Sequence, residues 1–277
     1  MLRFHRVAAT LVAAAFTALG LAGGAIRAQG GPALRVGSDI SYAPVEFYAQ
    51  KKPHGLDVDL GDAIAKRMNS RAQFINHDFN TIVPALQSRK FDVVMSAMSD
   101  TREREKLVDF VDYFLAGSGI LVAKGNPAHI SALNDLCGRT ADLQTGTSQE
   151  KMLHAISDGC KALGLRGVTI LAYPTDDQAL KALVAGKSDA HISDFPVVAY
   201  LAEAYDKEFD VVGKQFNIAP YGIAVPKSNP QLREAIRRAL AQTIADGTYD
   251  KILQKWNLEI GAMRSTPVNA GRLYSNS

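Results

Sequence analysis

Between Phe91 and Arg104 the chain reads FDVVMSAMSDTRER, a stretch built to hold a carboxylate. Its apolar opening, Phe91 to Met95, reads as a buried strand. The small and hydroxyl-bearing residues Ser96 to Thr101 follow, and a charged segment starts at Arg102, with Asp100 or Thr101 placed to cap a helix. A strand breaking into such a turn presents backbone N–H groups and side-chain oxygens together, and Arg104 adds a planar fork for the same anion. The plainer reading of Arg104 is a surface arginine on a solvated helix face. A second turn of the same plan, QTGTSQE over Gln144 to Glu150, offers Gly146, Thr147 and Ser148 before another helix. Two such turns facing each other enclose one small polar ligand.

Other chemistries find little support. The six histidines stand in no nucleophile context, and HExxH, P-loop and GxGxxG patterns are missing from the sequence. No cofactor, metal or catalytic residue is therefore expected. Cys137 and Cys160 have the wrong spacing for a CxxC motif. In an exported protein an isolated pair reads as a disulfide, the alternative being two buried free thiols.

The elements that position these turns alternate. Strands are expected at Leu34–Val36, Ala72–Ile75, Thr140–Leu143, Val168–Ala172 and Ala190–Ile192. Helices are expected at Leu60–Met68, at Thr81–Ser88 with Pro84 in the first turn, and at Gln149–Ser157 and Asp177–Ala185. Pro230–Asp246 and Tyr249–Trp256 are helical by the same spacing. This rhythm is that of α/β layers on a largely parallel sheet. Met263–Ser277 shows little periodicity and reads as a mobile tail.

At 277 residues, 47% of them hydrophobic and 21% charged, the composition is that of a soluble globular protein. Residues 1–28 read as a secretory signal peptide, with basic Arg3 and Arg6, an apolar run, and small residues around a cleavage site at 25–28. Arg3, Arg6 and Arg27 leave with it and no acid does, so 28 basic residues remain against 28 acidic ones. The excess charge of the whole chain thus carries no message about nucleic acid.

Taken in order, LRVGSDISYAPVEF, GLDVDLGDAIAKRM, FNTIVPALQSRKFDVVMSAMSDTRER, VDFVDYF, QTGTSQE, GKSDAHISD, APYGIAV and DGTYDKILQKW resemble the periplasmic solute-binding proteins, family 3, that serve polar amino-acid ABC importers. The resemblance covers about residues 34 to 261. It implies a type II periplasmic-binding-protein fold: two α/β lobes joined by two crossover strands and closing on the ligand by a hinge. Lobe one would comprise 29–116 and 219–263, and lobe two 117–218. Arg104 would clamp the ligand carboxylate, aided by Ser99 and the backbone near Ala97 and Ser148. Asp194 would accept the ammonium, although by itself it reads as a helix N-cap. Tyr42 and Phe79 would be aromatic walls, with Asp39 and Ser96 at the side-chain end. Met98 and Thr145 complete the expected ligand set.

The implied partners are a free amino acid (Lys, Arg, ornithine, His or Gln-like) and the membrane permease of an ABC importer. The protein would be a periplasmic monomer with no nucleic-acid partner and no enzymatic role. Two alternatives share the scaffold: a periplasmic cyclohexadienyl or arogenate dehydratase, and presentation of ligand to a chemoreceptor. Three positions depart from the family pattern: Leu56 where an aromatic commonly precedes the acidic pair Asp57 and Asp59, Ala97 in place of a frequent serine, and Asp142 in what is usually an all-apolar strand before the QTGT turn.

Overall fold

The computed structural model describes residues 31–274, so the expected signal peptide at 1–28 lies outside the described residues. The first elements are β1 (Leu34–Ser38), a small antiparallel sheet of β2 (Ser41–Tyr42), β3 (Glu46–Ala49) and β4 (Lys52–His54), and α1 (Leu56–Arg67). Next come β5 (Ala72–Asn76), α2 (Phe79–Gln87), β6 (Val93–Val94) and α3 (Arg102–Glu105). A long strand, β7 (Val108–Ala123), leads to β8 (Thr140–Gln144), α4 (Ser148–Ala162), β9 (Thr169–Tyr173) and α5 (Asp176–Val184). Then β10 (Ala190–Asp194) and α6 (Phe195–Ala204) precede a second long strand, β11 (Phe209–Pro226), followed by α7 (Pro230–Ala245) and α8 (Thr248–Lys255).

Eight strands form one sheet in the order β5-β1-β6-β11-β7-β10-β8-β9. Parallel pairs lie at both ends, β1 with β5 and β6, and β8 with β9 and β10. Between them β7 and β11, of 16 and 18 residues, run antiparallel. Their register slips between Val212 and Phe216 and again between Phe216 and Ala219, around the expected crossovers. Two α/β lobes thus share one pair of long strands, and the ladder is least regular where a hinge would bend.

Helical spacing places Leu56, Leu60 and Ile64 of α1 on one buried face, against Leu240, Leu253 and Val36 in the core of the first lobe. Ile120, Leu143, Leu153 and Ile192 form the second lobe's core. Cys137 and Cys160 are bonded there, tying the turn before β8 to α4. Closing a loop of that length stabilises by about 3 kcal/mol in the chain-entropy treatment.

Two expectations need correction. Helix α2 begins at Phe79, so Pro84 sits inside it and not in its first turn. The expected mobile tail is docked as far as Tyr274. Val268 bridges Val111, Asn269 exchanges hydrogen bonds with the Phe110 backbone, and Gly271 N–H donates to Asp100 Oδ2 at 2.8 Å. Pairing of isolated backbone groups leaves no periodic signature, so the pattern of residues could not reveal it.

Candidate functional site

The two polar turns meet in a small cavity between the lobes. From the first lobe come Asp39, Tyr42, Phe79, Ser96, Ser99 and Arg104; from the second come Ser148 and Asp194. All eight were expected there. Thr101 caps α3 by accepting from Arg104 N–H, which fixes the start of the arginine side chain. The guanidinium donates to Ser99 O at 2.8 Å and, across the cleft, to Gly146 O at 3.1 Å. Its central carbon lies 5.3 Å from the centre of the Phe79 ring. Burial lowers Arg104 to about 10, so it remains a cation at neutral pH. The first residues of α4, Ser148 and Gln149, face the same space with its cap Thr147, adding the positive end of a helix of 15 residues.

Asp194 occupies the cap position of α6 without capping it. Its Oδ1 accepts from Gln149 Nε2 at 2.6 Å and its Oδ2 from Tyr221 OH at 2.7 Å. Burial raises Asp194 to about 6 against the pull of those donors. At the other end Asp39 accepts from Ser41 Oγ at 2.8 Å and Gln144 Nε2 at 2.6 Å, while its N–H donates to Ser96 Oγ. Burial raises Asp39 as well.

Three expected ligands play other parts. Ala97 lines the cavity, but its N–H donates to buried Asp57 Oδ2 at 2.9 Å and is not free for a ligand. Its φ of 45° lies in the left-handed region, the conformation in which that bond is made. Met98 is buried with Ile82, Leu86 and Phe91 in the core, where an apolar side chain next to a polar turn packs by default. Thr145 turns its hydroxyl to the Glu150 carboxylate, and Thr147 stands in the lining instead.

Glu46, Gln144, Gln149 and Thr147 were missed. Glu46 is 1% exposed and accepts from Ser96 Oγ at 3.0 Å, while its Oε2 has no hydrogen-bond donor. Burial first, and then the neighbouring Asp57, push Glu46 well above the usual carboxylate range. One usable signal existed: an acid in the apolar company of Val45 and Phe47, on a strand next to Tyr42.

One arginine, a helix N-terminus and three carboxylates therefore enclose a space between two lobes. That arrangement defines a cleft binder for a small charged solute. Residues 34–259 match the bacterial extracellular solute-binding proteins, family 3, and the chain belongs to that family. It is 32% identical over 238 residues to the arginine-binding protein ArgT of Corynebacterium glutamicum, covering 85% of this chain and 78% of the relative. The histidine-binding periplasmic protein of Salmonella typhimurium is 30% identical over 232 residues, covering 80% of this chain and 86% of its own. Among solved structures, an ancestral arginine-binding protein bound to arginine superposes with a TM-score of 0.75 at 39% identity, covering 82% of this chain and 99% of that one.

Proposed function

We propose that this protein captures a cationic amino acid in the periplasm, closes its lobes over it and delivers it to the permease of an ABC importer. Lobe one is taken as residues 29–116 and 219–263, and lobe two as 117–218. The observation that carries the substrate class is the charge inventory of the cavity. Arg104 and the α4 start match an α-carboxylate, and Asp194 matches an α-ammonium. Asp39 then remains for the side chain, with Glu46 beside it as a carboxyl that a cation would help to ionise, and this acidic end favours a cation and repels an acidic side chain. Arginine, lysine, ornithine and protonated histidine fit, and an amide such as glutamine satisfies only part of the inventory. Relatives named for arginine and histidine binding support the same class.

The carboxylate is shared between Arg104 of one lobe and the α4 start of the other, and the ammonium meets Asp194 of the second lobe, so a ligand binds the closed form far better than the open one. The curated relatives reported above are binding proteins, and we read this chain as a binder without turnover. A thermal-shift screen against the amino acids and ornithine tests the reading. A ligand at a hundred times its Kd adds about 2.7 kcal/mol of apparent stability. Stabilisation by a cationic amino acid is expected. A screen led by aspartate or glutamate, or turnover of prephenate or arogenate, would contradict it.

A further inference from the structure

Asp142 sits buried at the centre of β8 between Ala141 and Leu143, and the cavity does not use it. Its neighbour in the sheet is His191, since Asp142 on β8 and His191 on β10 are register partners. Both are fully buried. His191 Nδ1 lies 2.6 Å from Asp142 Oδ1, and Ser188 Oγ holds the other carboxylate oxygen. On the far side of the ring, Nε2 lies 3.4 Å from Asp176 Oδ1. Burial pulls His191 down, but Asp176 and Asp142 outweigh it and raise it to about 10, so an imidazolium stands between two carboxylates.

An ionic cluster in this place is not explained by stability. Two apolar residues would pair β8 with β10 equally well and spare the cost of desolvating three charges. What the cluster does reach is the cleft. Asp176, the first residue of α5, accepts from Ser193 Oγ at 2.8 Å. Ser193 Oγ in turn lies 2.8 Å from the hydroxyl of Tyr42, which belongs to the other lobe. The direction of each bond follows from proton count. A hydroxyl has one proton, and that of Ser193 is committed to Asp176. Tyr42 must therefore donate to Ser193, which leaves its oxygen to accept from Asp194 N–H at 3.1 Å. Asp194 is the residue assigned above to the ligand ammonium.

We propose that Asp142, His191 and Asp176 are positioning residues that orient the Ser193 hydroxyl to receive Tyr42 on closure, and thereby set ligand affinity. The proposal rests on the reading of the cleft as an amino-acid site that closes. Asp176 supplies the acceptor, His191 supplies the counter-charge that keeps that acceptor buried, and Asp142 fixes the ring. None of the three touches the ligand. They act on the closed form alone, because Tyr42 meets Ser193 only when the lobes come together.

The test is a double-mutant cycle on arginine binding by calorimetry, with chemical denaturation of each ligand-free variant. Asp176→Asn and Tyr42→Phe are made singly and together, with Ser193→Ala as the milder break of the same chain. Asp176→Asn is expected to weaken binding about tenfold, the loss of one well-placed buried hydrogen bond. In the Tyr42→Phe background it is expected to cost less than about twofold, since the bond it orients is already gone. Ser193→Ala is expected to behave likewise, and it decides the matter if Asp176→Asn does not fold. Losses that add fully in the double variants, or lowered stability with unchanged arginine affinity, would overturn the relay. Wild-type protein that binds no amino acid would overturn instead the reading beneath it.

Discussion

Gln144 Nε2 donates to Asp39 Oδ2 at 2.6 Å, so an amide from the second lobe closes the side-chain end of the cavity against a carboxylate of the first. The bond does two things. It links the lobes directly, and it fills the acceptor that a cationic side chain would take.

Asp39→Asn is therefore expected to lower arginine affinity by about thirtyfold, since hydrogen bonds to charged groups are worth about 1.5–3 kcal/mol. Glutamine affinity is expected to change by less than about threefold, because a neutral amide gains no charge assistance from Asp39. Calorimetry with both ligands checks this. Equal losses for arginine and glutamine would move the cation to Glu46 alone.

Arg104→Ala is expected to abolish measurable binding while the denaturation midpoint of the ligand-free protein stays within a degree or two. The guanidinium reaches both Ser99 O and Gly146 O while facing the cavity. Arg104→Lys is expected to fail nearly as badly, because a point charge cannot reproduce a planar fork. An alanine variant binding within threefold of wild type would remove Arg104 from the carboxylate.

Gly146→Ala probes closure without touching a charge. Gly146 has a φ of +78°, and a Cβ there would lie 2.8 Å from Asn80 Oδ1 and 3.0 Å from Asn80 Cα, on the opposite lobe. The left-handed backbone alone costs roughly 1 kcal/mol of stability in an alanine. The clash adds a penalty present only in the closed form. Affinity is expected to fall at least tenfold, and small-angle scattering at matched ligand concentration is expected to report a more open population. Stability loss with normal closure would mean that Asn80 yields.

Arg104 was legible as a fork beside the hydroxyl-rich turn at Ser96 to Thr101, whereas Asp194 by itself reads as a helix N-cap and only the family resemblance pointed it at the ligand. Glu46 and Gln149 were hidden by their context. A glutamate at the start of a short strand and a glutamine in a first helical turn are ordinary solvated residues until tertiary structure buries them. The α/β layering was legible from the alternation of short apolar runs with amphipathic helices, while the division into lobes came from the family resemblance. The docked tail was not, since it is held by single bonds scattered along the chain, Phe110 N–H to Asn269 Oδ1 and the N–H groups of Ala270 and Gly271 to the carboxylates of Asp112 and Asp100, which form no periodic pattern.

That docking predicts a pH dependence of stability. Burial raises Asp100 to about 7, helped by Glu105, and raises Asp112 to about 8, helped by the charges of Asp100 and Glu105. The folded state thus binds more protons than the unfolded chain between roughly pH 4 and pH 8. This stability is fully present below about pH 4 and is lost as pH rises through the folded values. Melting temperature without ligand is expected to be higher at pH 5.5 than at pH 8. Asp112→Asn, which still accepts from Ala270 N–H, is expected to flatten that slope. A melting temperature rising between these pH values would refute the assignment.

Asp194→Asn separates a ligand partner from a structural cap. Asparagine caps a helix as well as aspartate does, and Asp194 makes no side-chain cap bond here, so a capping role predicts little change in anything. As partner of the ligand ammonium, its loss leaves a desolvated cation unpaired, at a cost of about 2–5 kcal/mol, or thirtyfold or more in Kd. The pH profile gives a second reading. Burial holds Asp194 at about 6, and a proton competes with the ammonium for the same carboxylate. Wild-type affinity is then expected to be flat above about pH 7 and to fall by up to roughly tenfold per pH unit below 6. In Asp194→Asn that fall is expected to become shallower by the one proton displaced at this site, while the raised Asp39 and Glu46 keep their own contribution. A variant that binds normally and keeps the acid limb of the profile would return Asp194 to the helix end and leave the ammonium to another carboxylate of the cavity.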